Sequence, residues 1–512
     1  MKHIITFNIA LLLMSAPSLA QDGSLDPSFG KAGIVSTRIG LGNNYCKAVV
    51  VQEDDKIVVA GNTQNDVALI RYHSNGSLDT SFGTGGVVTT SISGGGDVTN
   101  GIAIQSDGKF VLVGYSGIFP NYDVLLVRYS EDGALDESFG TGGTVLTNIG
   151  AKGDQGHAVA IQSDGKIVVA GNYDNGTNSD IVLVRYTENG KLDSSFHNDG
   201  IVTTGVGPAG EIARSVAVQS DGKILITGYS YTPKSFAYEF VIVRYAMDGS
   251  LDSSFGINGI VTTDIVSQND YGESIVVLNN GKIIVGGYSF SGNLSVAQYD
   301  SSGRLDPLFG VDGKVTLPFG CMYQNDYSIA MQTNGKILLC GYSTLRSANS
   351  DFAMARFTDR GLLDPTFGVG GVITTPIGIA DDVATAVAIQ KDGKIILAGT
   401  SFDGTSNVIT VVRYRIPTTD VVESSVASDI AVYPNPFSTQ TTFHSVRGFI
   451  QATLALFNSI GECVYSERNI SGTSFTMNCQ DLARGVYYAR MIQPETSGAT
   501  MEWTQTLIHT AP

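Results

Sequence analysis

Residues 25–35 read LDPSFGKAGIV, and the chain repeats the phrase six more times. The later copies are LDTSFGTGGVV (78–88), LDESFGTGGTV (135–145), LDSSFHNDGIV (192–202), LDSSFGINGIV (251–261), LDPLFGVDGKV (305–315) and LDPTFGVGGVI (363–373). Their phenylalanines, Phe29, Phe82, Phe139, Phe196, Phe255, Phe309 and Phe367, are separated by 53, 57, 57, 59, 54 and 58 residues. A period of this length is the mark of a stacked or circular array in which each unit leaves an apolar face for its neighbour.

Each repeat has the same grammar. The third contains HAVAIQSDGKIVVAGN (157–172), then SDIVLVRYTENGKLDSSF (179–196), then GIVTT (200–204). AVAIQ and KIVVAG are β-branched runs joined by SDG, a hairpin signal; DIVLVRY and GIVTT supply two more strands. Helical periodicity is absent from this region. Four short antiparallel strands per unit, here a to d from the axis outward, describe a propeller blade. Counting by the a–b hairpin, QEDDK (52–56) through QKDGK (390–394), gives seven units, and so does counting by the residue that ends strand c, Tyr72 through Tyr414.

The early position of the first copy follows. GIVST (33–37) is a d strand with no a, b and c strands before it, while the last a-b-c set (386–414) has no d strand after it. The two halves are expected to complete one blade and so remove two open sheet edges. Together, LDxxFG, QxDGK and RY in order resemble the delta-sixty β-propeller repeat family, itself similar to the NHL-type propellers. The resemblance covers residues 22 to about 415 and implies the fold, with little about activity.

Composition agrees with an all-β chain. It has 512 residues, 61 glycines, 14 prolines and 42% apolar content. The formal charge of −17, without a clustered basic stripe, argues against nucleic acid as a partner. Residues 1–20 read as a secretory leader, with Lys2, an apolar run from Ile4 to Met14, and small residues at Ser18 and Ala20. Export is expected, and a monomer. The five cysteines (Cys46, Cys321, Cys340, Cys463, Cys479) have neither metal-ligand spacing nor a shared place in the repeat. Buried free thiols are expected, with pairing of Cys463 and Cys479 as the alternative.

The repeats stop after residue 416. Residues 417–430 read as a polar linker and 431–512 as a small antiparallel sandwich, Ig-like in architecture. YPNPF (433–437), LFNSIGECVY (456–465) and LARGVYYARM (482–491) resemble, in that order, the type A C-terminal sorting domain of the type IX secretion system of Bacteroidota. That resemblance gives Tyr433, Pro434, Asn435 and Pro436 as the sorting motif. It implies the outer-membrane translocon as a partner and a secreted or cell-surface destination. The closing strand TQTLIHT (504–510) lacks the lysine such tails commonly carry.

Candidate chemistry is sparse. Ser106–Lys109, Ser163–Lys166 and Ser220–Lys223 match a nucleophile spacing, but they sit in equivalent hairpin turns, where Ser, Asp and Gly are turn formers. YDNGTNSD (173–180) is oxygen-rich without the EF-hand pattern and reads as a solvated loop. The Arg of RY and the Asp of LD recur so regularly that they read as structural. The a–b and c–d turns are nearly constant. The d–a and b–c loops vary, the latter from GYSFSGN (287–293) to GYSYTPKSFAYE (228–239), and both sets fall on one face. Function is expected on that variable face.

Eight residues before the Gln that ends strand a, or its equivalent, lie Asn44, Asp97, Asp154, Glu211, Asp270, Gln324 and Asp382. Two readings stand: each side chain caps its d–a loop, or together they form a negative channel mouth for calcium or a cationic ligand. Tyr115, Tyr229, Tyr288 and Tyr342 follow the strand-b glycine in register, as an aromatic rim or as packing between blades. The leading function is a surface scaffold binding protein or glycan, with no cofactor beyond possible calcium. The alternative is a polysaccharide lyase or hydrolase. Catalysis should break the sevenfold pattern with a unique cluster, and the sequence displays none.

Overall fold

A computed structural model describes residues 22–150, 152–233, 235–319, 327–344, 349–416, 430–433, 438–458, 463–479, 482–483, 485–494 and 500–509. The leader, Gln324, Cys321 and Pro434, Asn435 and Pro436 lie outside the described residues. The chain divides into two compact units, Met1–Pro417 and Thr418–Pro512.

The first unit is a seven-bladed propeller: seven four-stranded antiparallel sheets, six with their strands in sequence order. The inner strands are Tyr45–Val51, Gly96–Ile104, Asp154–Ile161, Glu211–Val218, Asp270–Val277, Ser328–Met331 and Val383–Ile389. In the seventh sheet the outer strand is Ile34–Thr37, pairing Ile34 with Val412 and Thr37 with Ile409 of Asn407–Tyr414. The N-terminal segment therefore closes the ring within the last blade.

Burial explains the strand sequences. In the first blade, strand b (IVVAGN) and strand c (VALIRY) are buried at every residue, because both faces pack against neighbouring blades. Such strands need continuous apolar runs rather than alternation. Strand a is only partly covered, since one side faces the axis.

The recurrent polar residues fasten blade to blade. Arg71 donates from Nε to Asp79 at 2.9 Å and from Nη1 to the Glu131 carbonyl of the next blade at 2.5 Å. Arg128, Arg185 and Arg244 repeat this, reaching Glu188, Met247 and Ser301 at 2.6 Å. Arg413 of blade 7 pairs with Asp26 at 2.9 Å and donates to Ser74 of blade 1, and Arg356 of blade 6 pairs with Asp22. Each of these arginines also stacks on a motif phenylalanine, centroid distances running from 4.3 Å for Phe196 to 4.7 Å for Phe29. Burial alone would raise the carboxyls of Asp79, Asp136 and Asp193. Hydrogen bonds from Ser81, Ser138 and Ser195, with the arginine charges, outweigh it and hold them down to about 2.

Two departures follow the same logic. Blade 5 has Gln298 in place of Arg, and Lys282 reaches Asp306 at 2.6 Å instead. Elsewhere the strand-c tyrosine bonds a threonine on the preceding blade's outer strand, as Tyr72 does with Thr37 and Tyr186 with Thr147, both at 2.7 Å. Where that tyrosine becomes Phe357, the threonine position is Leu317, and the two join one apolar cluster. The hydroxyl and its acceptor are lost together.

The C-terminal unit is an antiparallel five-stranded arrangement. Its long strand Gln440–Phe457 is irregular between His444, Phe449 and Ala452. The first half pairs with Ile430–Tyr433 and the second with Gly485–Pro494. Both halves feed one core that includes Phe443, Leu454, Leu456 and Met491, as an Ig-like sandwich requires. Among the described residues none of Cys46, Cys340, Cys463 and Cys479 forms a disulfide. Cys463 is exposed, which corrects the expectation of uniformly buried thiols.

Candidate functional site: the axial channel and its tyrosine-lined flank

In six blades strand a carries a β-bulge at one register position, and the bulged residues are Lys47, Asn100, His157, Arg214, Glu273 and Thr385. In blade 6 the matching residue, five before Gln332, is Tyr327. A bulge bends the strand and re-aims one side chain. All seven residues line a central cavity of 630 Å³. The position holds seven different residue types, so the sevenfold pattern is broken at the axis.

The bulge has a sequence signature in strand b. It carries the carbonyl before it across the neighbouring strand, where only glycine fits. A Cβ at Gly114 or Gly228 would sit 1.8 Å from the carbonyl oxygen of Val98 or Ile212, and one at Gly171 would sit 1.9 Å from that of Gln155. The strand-b glycine, visible in every repeat, is thus the trace of the bulge. The clue was on one strand and the variable residue on its partner.

Local contacts fix the ring. His157 shares a hydrogen bond between Nε2 and Asn172 at 2.7 Å, and Asn100 lies 3.5 Å from its Nδ1. Burial, then the charges of Arg214 and Lys47, pull the His157 imidazole down to about 3, so it is neutral at ordinary pH. Arg214 lies 3.6 Å from Glu273 and donates to the Tyr229 hydroxyl at 3.4 Å.

Beside the channel lies a depression of 430 Å³ lined by Tyr229, Tyr238, Tyr271 and Tyr288. Ile212 lines both spaces. Ring centroids are 4.8 Å apart for Tyr229 and Tyr271, 4.7 Å for Tyr271 and Tyr288, and 5.2 Å for Tyr288 and Tyr327. Of the four register tyrosines, Tyr229 and Tyr288 thus flank the depression and Tyr115 lines the channel. Tyr342, 2% exposed, packs 6.4 Å from Tyr327. Among the described residues the propeller's large exposed aromatics, Tyr45, Phe119, Phe236 and Phe290, belong to the d–a and b–c side.

The acid positions lie beneath that face. Asn44, Asp97, Asp154, Glu211, Asp270 and Asp382 are at most 1% exposed and bond the d–a loops that precede them. Asp97 accepts from Ile92 N–H at 2.7 Å, Asp154 from Ile149 N–H at 2.6 Å, Asp270 from Ile265 N–H at 2.7 Å, and Asp382 from Ile377 N–H at 2.8 Å. Asn44 both accepts from and donates to Ile39, and Glu211 accepts from Gly207 N–H at 2.8 Å. Burial, opposed by these bonds, pushes Asp270 up to about 6 and Glu211 up to about 7. Among the described residues no group of three or more His, Cys, Asp or Glu side chains is arranged to hold a metal ion. In the 173–180 loop, Asn175 is bonded to Asn178 and Asp180.

Fold and site together define a seven-bladed propeller with a variable d–a and b–c face and an asymmetric axial channel. Seven stretches, 52–82, 105–139, 162–196, 219–255, 278–309, 332–367 and 390–415, match the family described as domain of unknown function (DUF5122) beta-propeller, and 431–501 matches the secretion system C-terminal sorting domain. The chain is thus a member of that propeller family carrying a type IX sorting domain, which marks it for secretion or the outer cell surface in Bacteroidota and for contact with the type IX machinery.

No curated protein matches the chain. Among solved structures, a virginiamycin B lyase from Staphylococcus aureus is similar at 13% identity and a TM-score of 0.46, over 74% of this chain and 98% of the other. The polysaccharide lyase Uly1 gives 11% and 0.43, over 74% and 91%. At these scores neither informs the chemistry of this chain.

Proposed function

We propose that this protein is a secreted or surface-held glycan-binding propeller whose ligand lies on the d–a and b–c face, at the mouth of the channel. The observation that carries this reading is the depression of 430 Å³ walled by Tyr229, Tyr238, Tyr271 and Tyr288. A sugar ring has one face of C–H groups and an edge of hydroxyls. Tyrosines suit it, since each offers an apolar ring face and a polar tip. Concave sites with aromatic walls and a few convergent polar groups are the usual form of small-ligand sites, and here the polar groups are those of the adjoining channel.

The test is a glycan screen of the full chain, followed by titration of Tyr238→Ala and Tyr271→Ala. Each variant should weaken binding about tenfold or more, equivalent to ~1.4 kcal/mol. A protein that binds no glycan, or variants that bind as wild type does, would contradict the reading. An enzymatic role draws on the broken symmetry of the channel, where His157, Glu273 and Tyr327 line one cavity. Turnover of any glycan bound in the screen would favour it.

A further inference from the structure

The bulge ring also specifies which kind of glycan, an inference resting on the glycan-binding reading. We infer that the channel selects an acidic sugar: a hexuronate residue whose carboxylate enters the axis while its neighbouring ring lies on the tyrosines.

Two cations, Lys47 and Arg214, and one anion, Glu273, stand at the same register around one cavity. His157 at that level is neutral, so the ring has a formal balance of one positive charge. That balance matches a monoanion such as a carboxylate better than a doubly charged phosphate. The remaining members, Asn100, Tyr327 and Thr385, are neutral amide and hydroxyl groups. Amides and hydroxyls complement a polyhydroxylated ligand, because each can donate and accept.

The rest of the molecule sharpens the point. The chain carries a formal charge of −17, so its long-range field repels anions. A local positive excess among side chains facing one cavity acts at short range, within the screening length of physiological salt. The two effects therefore separate with ionic strength. An anion held in this channel should lose little affinity as salt rises, unlike one held by exposed lysines. Guanidinium also prefers carboxylate through paired hydrogen bonds, and Arg214 is oriented by Tyr229 and Glu273 rather than left as a loose surface chain. Tyr229 joins the two halves of the site, since it contacts Arg214 in the channel and walls the depression. Charge recognition and ring stacking thus share one residue.

The experiment is calorimetric titration of the full chain with trimers of galacturonate, glucuronate, mannuronate and guluronate, each as the free acid and as its methyl ester. The ester keeps the sugar and removes only the charge. At least one free acid should bind tenfold or more tighter than its ester, with affinity changing less than threefold between low and physiological salt. Lys47→Met should bring acid affinity down toward that of the ester, and Lys47→Arg should keep the preference. Equal binding of acid and ester would overturn the inference while leaving the glycan reading standing. Binding of neutral oligosaccharides alone would do the same. No binding of any acidic or neutral glycan would overturn both.

Discussion

The peripheral arginines, present in six of the seven blades, and the axial bulge position obey opposite rules. At the periphery, Arg71, Arg128, Arg185, Arg244, Arg356 and Arg413 meet nearly identical partners blade after blade. At the axis, a single register position holds seven different side chains. A repeated geometry demands a repeated fastening, so sameness is the mark of a load shared by all blades. Difference at an equivalent register has no such cause, because six of the seven positions share the same bulge. On the proposed reading, variation there answers to a ligand in the channel that is itself without sevenfold symmetry.

The largest way to break the peripheral order is to open the ring. Deleting residues 22–38 removes the outer strand of blade 7, Phe29 and the Asp26 partner of Arg413. The loss should exceed the ~3–5 kcal/mol of one broken buried ion pair and expose a sheet edge. Cooperative melting of the propeller should disappear. A deletion that melts as wild type would refute closure through the N terminus.

A single fastening comes next. Arg71→Met leaves Asp79 buried and severs the bond to Glu131, at an expected cost of about 3 kcal/mol in chemical unfolding; Lys56, 3.6 Å from Asp79, limits the damage.

The caps and the channel should also part in their response to pH. Glu211 has a folded pKa raised from 4.5 to about 7, so its contribution is fully present below pH 4.5 and lost as pH rises through 7. Glu211→Gln should therefore gain about 1–3 kcal/mol over wild type above pH 7 and none near pH 4. His157 runs the other way. Its folded pKa is lowered from 6.5 to about 3, so stability is full above pH 6.5 and falls as pH drops toward 3. His157→Gln should flatten that acid limb, which equilibrium unfolding across pH would register.

The smallest effect concerns the hydroxyl pair between blades. Tyr186→Phe strands the buried Thr147 hydroxyl and should cost about 1 kcal/mol. Adding Thr147→Leu should recover most of it, since Phe357 and Leu317 already form that apolar pair at the interface of blades 5 and 6. A double variant weaker than Tyr186→Phe would show that the exchange does not transfer between blades.

Legibility in the sequence follows the same division. The blades, their number and the closing strand could be read from the LDxxFG, QxDGK and RY phrases, because a fastening reused in every blade leaves a periodic trace. The structural role of the RY arginines and LD aspartates was legible for the same reason, with Gln298 and Lys282 the exception that only packing explains. The acid positions were visible through a constant offset from the strand-a Gln. The bulge ring was not, since its residues share no chemistry and alignment by type passes over them. The strand-b glycines marked the place, but a close backbone approach becomes meaningful only once the partner strand is known. The tyrosine-lined depression was half visible. Tyr229 and Tyr288 were in register, whereas Tyr238 and Tyr271 come from other strands and join them only through the fold.

On this account periphery and axis do separate jobs. Parallel melting and titration of Lys47→Met and Arg71→Met in the full chain tests it most directly. Lys47→Met should melt within ~0.5 kcal/mol of wild type, as substitutions outside the core do, yet lose the preference for the acidic trimer. Arg71→Met should be strongly destabilised and, at a temperature where it remains folded, bind as wild type does. A Lys47→Met protein that is destabilised as much as Arg71→Met, or that binds the acidic trimer unchanged, would contradict the account.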